Sequence, residues 1–63
     1  MTIEVPGSNN RLTARPEVLH SIMRVTLKED IPEASTEEEA KNILRSLAEK
    51  NIIKIIKEEA LWV

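Results

Sequence analysis

The sequence predicts a small two-layer α+β domain: two amphipathic helices packed on a short sheet, in the order β-α-α-β with room for one more short strand at the end. Three observations carry this. Residues 2–5, Thr-Ile-Glu-Val, alternate polar and apolar, the period of a half-buried strand. Two central stretches space their apolar residues three and four apart, the period of a helix with one buried stripe. Residues 52–57, Ile-Ile-Lys-Ile-Ile-Lys, are dense in β-branched side chains, which favour strand. Helices laid on one face of a sheet make two layers. Residues 1–63 form a single domain, since two cores do not fit in so short a chain.

In the first strand Ile3 and Val5 point inward. Pro6 and Gly7 stop it, and Ser8-Asn9-Asn10 reads as loop. The first helix runs from Ala14 to Lys28, with Thr13 as N-cap and Pro16 in its first turn, where a missing N–H has no helical partner. Its predicted buried stripe is Val18, Leu19, Ile22, Met23 and Val25, with Glu17, His20, Ser21, Arg24 and Lys28 opposite. Pro32 then forbids helix and biases Ile31 to an extended conformation.

The second helix is the best signalled. Either Ser35 with Glu38 or Thr36 with Glu39 forms a capping box. Glu37, Glu38 and Glu39 sit at the positive end of the helix dipole. Ala40, Ile43, Leu44, Leu47 and Ala48 make its buried stripe, and Asn51 ends it in a left-handed cap. Residues 52–57 follow as strand, although their rhythm could also continue a helix. Glu58-Glu59 lacks the Gly or Asn of a tight hairpin, so Ala60 to Val63 reads as a bent continuation or a last short strand.

Composition narrows function. A chain of 63 residues buries only roughly 60% of its unfolded surface, and such chains recruit disulfides, metals or a partner. With no Cys and one His, disulfides, thiolate sites and multi-His zinc sites are excluded, which favours a partner. No apolar run approaches the ~18 residues that cross a bilayer, and the first residues lack a basic and an apolar signal region. A cytoplasmic location is the expectation. No glycine-rich phosphate loop is present. His20, between Glu17 and Arg24, reads as a surface imidazole without a nucleophile. The carboxylates of Glu29, Asp30 and Glu33 lack the pattern of a calcium loop. The expectation is no enzyme, no cofactor, no metal and no small-molecule substrate.

The favoured function is a small interaction protein, a regulator, inhibitor or assembly factor of the kind phages also encode, acting as a homodimer or accessory subunit. Ile52, Ile53, Ile55 and Ile56 make the last strand apolar on both faces. One helical layer covers one face, so the other calls for a second copy. These four and the tail residues Leu61, Trp62 and Val63 are the candidate interface, with the Glu/Lys face of the second helix as an alternative surface. The tail, with the only aromatic residue of the chain, is expected to dock on its own core or on a partner's.

A rival comes from Asn10-Arg11-Leu12-Thr13-Ala14-Arg15, which alternates with Arg11, Thr13 and Arg15 outward. A polar ribbon followed by two amphipathic helices resembles the ribbon-helix-helix DNA-binding family, over about residues 10–50 and in pattern only. The resemblance implies a dimer whose paired ribbons enter the major groove, with Arg11, Thr13 and Arg15 as DNA contacts. It departs where that family turns its second helix N-terminus to a phosphate. Glu37, Glu38 and Glu39 occupy that place and would repel the backbone. Residues 51–63 are also surplus to that fold. A winged-helix reading, with Thr36 to Lys50 as recognition helix and the wing from Ile52, meets the same acids and leaves too little chain for its middle helix. Stacking on single-stranded nucleic acid needs more aromatic faces than Trp62 alone.

Overall fold

The computed structural model describes residues 1–7, 10–27 and 29–58. It is an α+β fold of three antiparallel strands and two helices: β1 (Thr2–Val5), β2 (Asn10–Thr13), α1 (Pro16–Thr26), α2 (Glu37–Glu49) and β3 (Lys54–Lys57). The sheet order is β2-β1-β3. The extra strand therefore precedes the helices. The segment from Asn10 to Thr13 pairs with β1, Val5 opposite Asn10 and Thr2 opposite Thr13. Gly7 holds φ at +92° in the connection, a conformation that costs glycine little. The Ala14 N–H donates to the Met1 carbonyl at 3.0 Å just past the end of that ladder.

Helix α1 starts later than predicted. Thr13 is the last residue of β2, and Arg15 is the N-cap with ψ at 151°, the extended value that a following proline imposes. Pro16 takes the first helical position. The buried side chains of α1 are Pro16, Leu19, His20 and Met23, and Leu27 packs against the same core. Residues 16, 19, 20 and 23 form an i, i+3, i+4, i+7 series, which the C-cap Leu27 extends at i+11. The predicted stripe is rotated, for Val18 is 48% and Val25 88% exposed. His20 corrects the prediction in the other direction, being only 5% exposed.

Helix α2 matches its sequence signals. The Thr36 hydroxyl accepts from the Glu39 N–H at 3.1 Å, and the Glu39 carboxylate accepts from the Ser35 N–H at 3.0 Å. The capping pair is thus Thr36 with Glu39, the carboxylate reaching one residue beyond the N-cap. At the other end Asn51 has φ at +61°. The Asn51 N–H donates to the Ala48 carbonyl and the Ile52 N–H to the Leu47 carbonyl, both at 3.0 Å, the two bonds of a Schellman cap.

That cap moves the last strand. Ile52 belongs to the helix stop, and β3 begins at Lys54. Ile3 lies opposite Ile55 and Thr2 opposite Lys57, which leaves Ile56 as an extra residue in a bulge. Ile3, Leu19, Met23, Leu44, Leu47 and Ile53 fill one core beneath the helices, with Leu12, Ile52 and Ile55 packed against it. The predicted two-faced strand is therefore corrected: Ile52, Ile53 and Ile55 are absorbed by the core, and Ile56 alone is exposed, at 38%.

Candidate interaction surfaces

The face of the sheet away from the helices is polar. Register places Thr2 and Glu4 of β1 in rows with Thr13 and Arg11 of β2, and with Lys57 and Lys54 of β3. Arg11 Nε lies 3.3 Å from Glu4 Oε2, and the Thr2 and Thr13 hydroxyls are 2.9 Å apart. Two of the three candidate DNA contacts, Arg11 and Thr13, share this face and are already engaged there. Arg15 is exposed beyond Ala14, at the start of α1. With Arg11, Lys54 and Lys57 against Glu4, the face has an excess of positive charge.

The acids gather elsewhere. Glu29, Asp30, Glu33, Glu37, Glu38 and Glu39 fall in residues 29–39, a stretch without a single Lys or Arg. Glu33 lies 3.6 Å from Arg24. Among the described residues no three of His, Asp and Glu converge on a point that could hold a metal ion.

His20 is the one imidazole, and the structure gives it a partner that sequence periodicity did not show. Its Nε2 lies 2.7 Å from the Pro32 carbonyl oxygen. The carbonyl can only accept, so Nε2 carries the proton. Pro32 keeps the connector out of helix, and its carbonyl is the acceptor that His20 meets.

The connector and α2 line a groove of about 210 Å³. Its walls include Asp30, Ile31, Pro32, Ile43, Leu47 and Lys50. Ile31 and Leu47 are nearly buried at its base. Pro6, Ala48, Asn51, Ile53, Lys54 and Ile55 line a broader, shallower depression of about 500 Å³. On α1, Val18 and Val25 stand at the surface with the half-buried Ile22 between them. The same periodicity that buries residues 16, 19, 20 and 23 leaves Val18 and Val25 outside, with Ile22 at the edge of the core.

Of the candidate interface residues, Ile53 is buried, Ile52 and Ile55 are half-buried, and Ile56 is exposed. Leu61, Trp62 and Val63 lie outside the described residues, as do Ser8, Asn9, Lys28, Glu59 and Ala60. No protein-family model, curated protein or solved structure matches the chain significantly.

Proposed function

We propose that this chain is a small non-enzymatic interaction module of the cytoplasm, working as a homo-oligomer or as the accessory subunit of another protein. The observation that supports it is the apolar surface left after the core is filled: Val18, Val25 and Ile56 exposed, and a groove floored by Ile31, Ile43 and Leu47. Val18 and Val25 share one face of α1 with the half-buried Ile22, and a contiguous apolar surface on a small chain is a common contact site. The groove falls below the roughly 300–1,000 Å³ of small-molecule sites, so it suits one side chain of a partner rather than a cofactor. His20 spends its Nε2–H on a backbone carbonyl and is 5% exposed. Among the described residues no helix is long and apolar enough to cross a membrane.

DNA binding through Arg11, Thr13 and Arg15 is the rival proposal. The addition of Lys54 and Lys57 to the same sheet face favours it; the run of acids from Glu29 to Glu39 opposes it.

Sedimentation equilibrium at micromolar concentration tests the favoured reading, together with affinity purification of the tagged chain from its source cell. A mass above 7.2 kDa, or one protein recovered in stoichiometric amount, supports a module. A monomer that recovers no stoichiometric protein overturns it.

A further inference from the structure

We infer that the segment from Ala60 to Val63 closes back on its own chain, the Trp62 indole lying in the depression that Ala48 and Ile55 border. The inference goes beyond the module reading, for it says which apolar residues are spent inside one copy.

The point where the chain leaves the sheet sets the reach. β3 stops at Lys57, and Glu58 Oε1 lies 2.6 Å from Arg45 Nε on α2. Trp62 follows Glu58 by four residues, which span up to about 14 Å. Ile55 lies three residues back along β3, roughly 10 Å at the strand rise. Ala48 lies three residues past Arg45, on the same side of α2 and ~5 Å along its axis. In the order β2-β1-β3 the last strand is an edge. Both borders of the depression are therefore within reach of Trp62.

The depression suits an indole. It holds about 500 Å³, with Pro6, Ala48, Ile53 and Ile55 as its apolar lining. An aromatic side chain buries about 150–250 Å² and needs an acceptor for its N–H. Asn51 on the same lining offers an amide oxygen, and Lys54 beside it offers an ammonium, which the face of a tryptophan attracts.

The other apolar surfaces compare poorly. Ile43 and Leu47 of the narrower groove each lie two residues from Arg45, about 160° around the helix from it, so that groove opens away from the departing chain. Val18 and Val25 stand on the outer face of one helix, which gives an indole a single wall. With Trp62 placed, the stripe of Val18, Ile22 and Val25 is what remains for a partner.

Trp62 is the only aromatic residue by which the chain fluoresces in the near ultraviolet, so emission and nuclear magnetic resonance of the full chain read this one side chain. Nuclear Overhauser contacts are expected from the indole protons to the Ala48 and Ile55 methyls. In a mixture of isotope-labelled and unlabelled chains, filtered for contacts between copies, these contacts should vanish. Ala48→Lys drives a charged side chain into the depression and keeps a good helix former. Its emission is expected to shift to the red, with iodide quenching rising toward that of free tryptophan, while circular dichroism shows the fold retained. Should that variant not fold, the contacts of the unmodified chain decide alone. Indole contacts to Ile43 and Leu47, to Val18 and Val25, or to nothing would overturn the inference, as would unchanged emission in a folded Ala48→Lys. Contacts seen only between copies would overturn it too, and would support the homo-oligomer of the module reading instead.

Discussion

The imidazole Nε2 of His20, in the middle of α1, lies 2.7 Å from the carbonyl oxygen of Pro32 in the connector. It is the only buried polar or charged residue of the described core. The bond joins two parts of the chain with no other secondary structure between them, and it holds the segment that walls the groove beside Ile43 and Leu47. A proline cannot continue the helix, and its carbonyl would otherwise face the core edge unpaired. One side-chain donor therefore ties the connector to α1, alongside the burial of Leu19, Met23 and Ile31 in the same core.

His20→Ala is expected to destabilise the fold by about 1–3 kcal/mol, through loss of a part-buried hydrogen bond and of the packing of a side chain that is 5% exposed. For a domain near this size each kcal/mol lowers the melting temperature by ~4–8 °C. Thermal unfolding followed by circular dichroism reads the shift directly. An unchanged melting temperature would show that water replaces the imidazole at no cost, as the sequence expectation of a surface His20 requires.

Local signals in the sequence were legible where one residue decides. Thr36 and Glu39 could be paired across three positions, Asn51 could be assigned a left-handed turn, and Pro16 a first helical turn, because each effect is confined to a few bonds. Burial on α1 was not legible. Val18, Ile22 and Val25 continue the helical period as well as Leu19 and Met23 do, and only the positions of α2 and of the Pro32 carbonyl choose between the two stripes. The face of the 52–57 segment was hidden for a related reason. Counted as strand from Ile52, Ile-Ile-Lys-Ile-Ile-Lys puts isoleucine on both faces, whereas the Schellman cap consumes Ile52 and a bulge at Ile56 resets the register. The groove is lined by the connector, at Asp30, Ile31 and Pro32, and by α2, at Ile43, Leu47 and Lys50, and the approach of those two segments is a tertiary contact that periodicity does not mark.

Asn51→Ala is expected to cost about 1–2 kcal/mol, the penalty for placing a β-carbon in the left-handed region. Asn51→Gly should be neutral or stabilising, since glycine accepts that φ most readily. Urea denaturation midpoints compare the three chains at equal slope. Equal midpoints for the alanine and glycine variants would show that the cap bonds to Leu47 and Ala48 do not depend on the φ of +61° at Asn51.

Sequence-selective binding to duplex DNA is expected to be absent at about 150 mM salt, where binding rests on neutralised phosphates. Arg11 is drawn toward Glu4 at 3.3 Å and Thr13 toward Thr2, and the α2 start presents Glu37, Glu38 and Glu39. Mobility shifts against a randomised duplex pool check this. Enrichment of one sequence that Arg11→Ala or Arg15→Ala abolishes would promote the ribbon-type regulator over the interaction module.

The two apolar stripes of the helices separate in one further pair of variants. Leu44, on α2, is fully buried, and truncating such a leucine costs about 2–5 kcal/mol. The whole stability expected of so small a core is roughly 3–5 kcal/mol, so Leu44→Ala leaves the chain largely unfolded at room temperature. Val25 is 88% exposed, and surface substitutions stay within about 0.5 kcal/mol. Val25→Ala also replaces a β-branched residue by a better helix former, which pushes the small remainder toward stabilisation. Were the rotated stripe of the sequence expectation the true one, Val25→Ala would instead remove a buried side chain, and its urea midpoint would fall by an amount as plain as that of a core truncation. Equilibrium urea denaturation of Val25→Ala, run beside the unmodified chain, therefore decides which face of α1 meets the core.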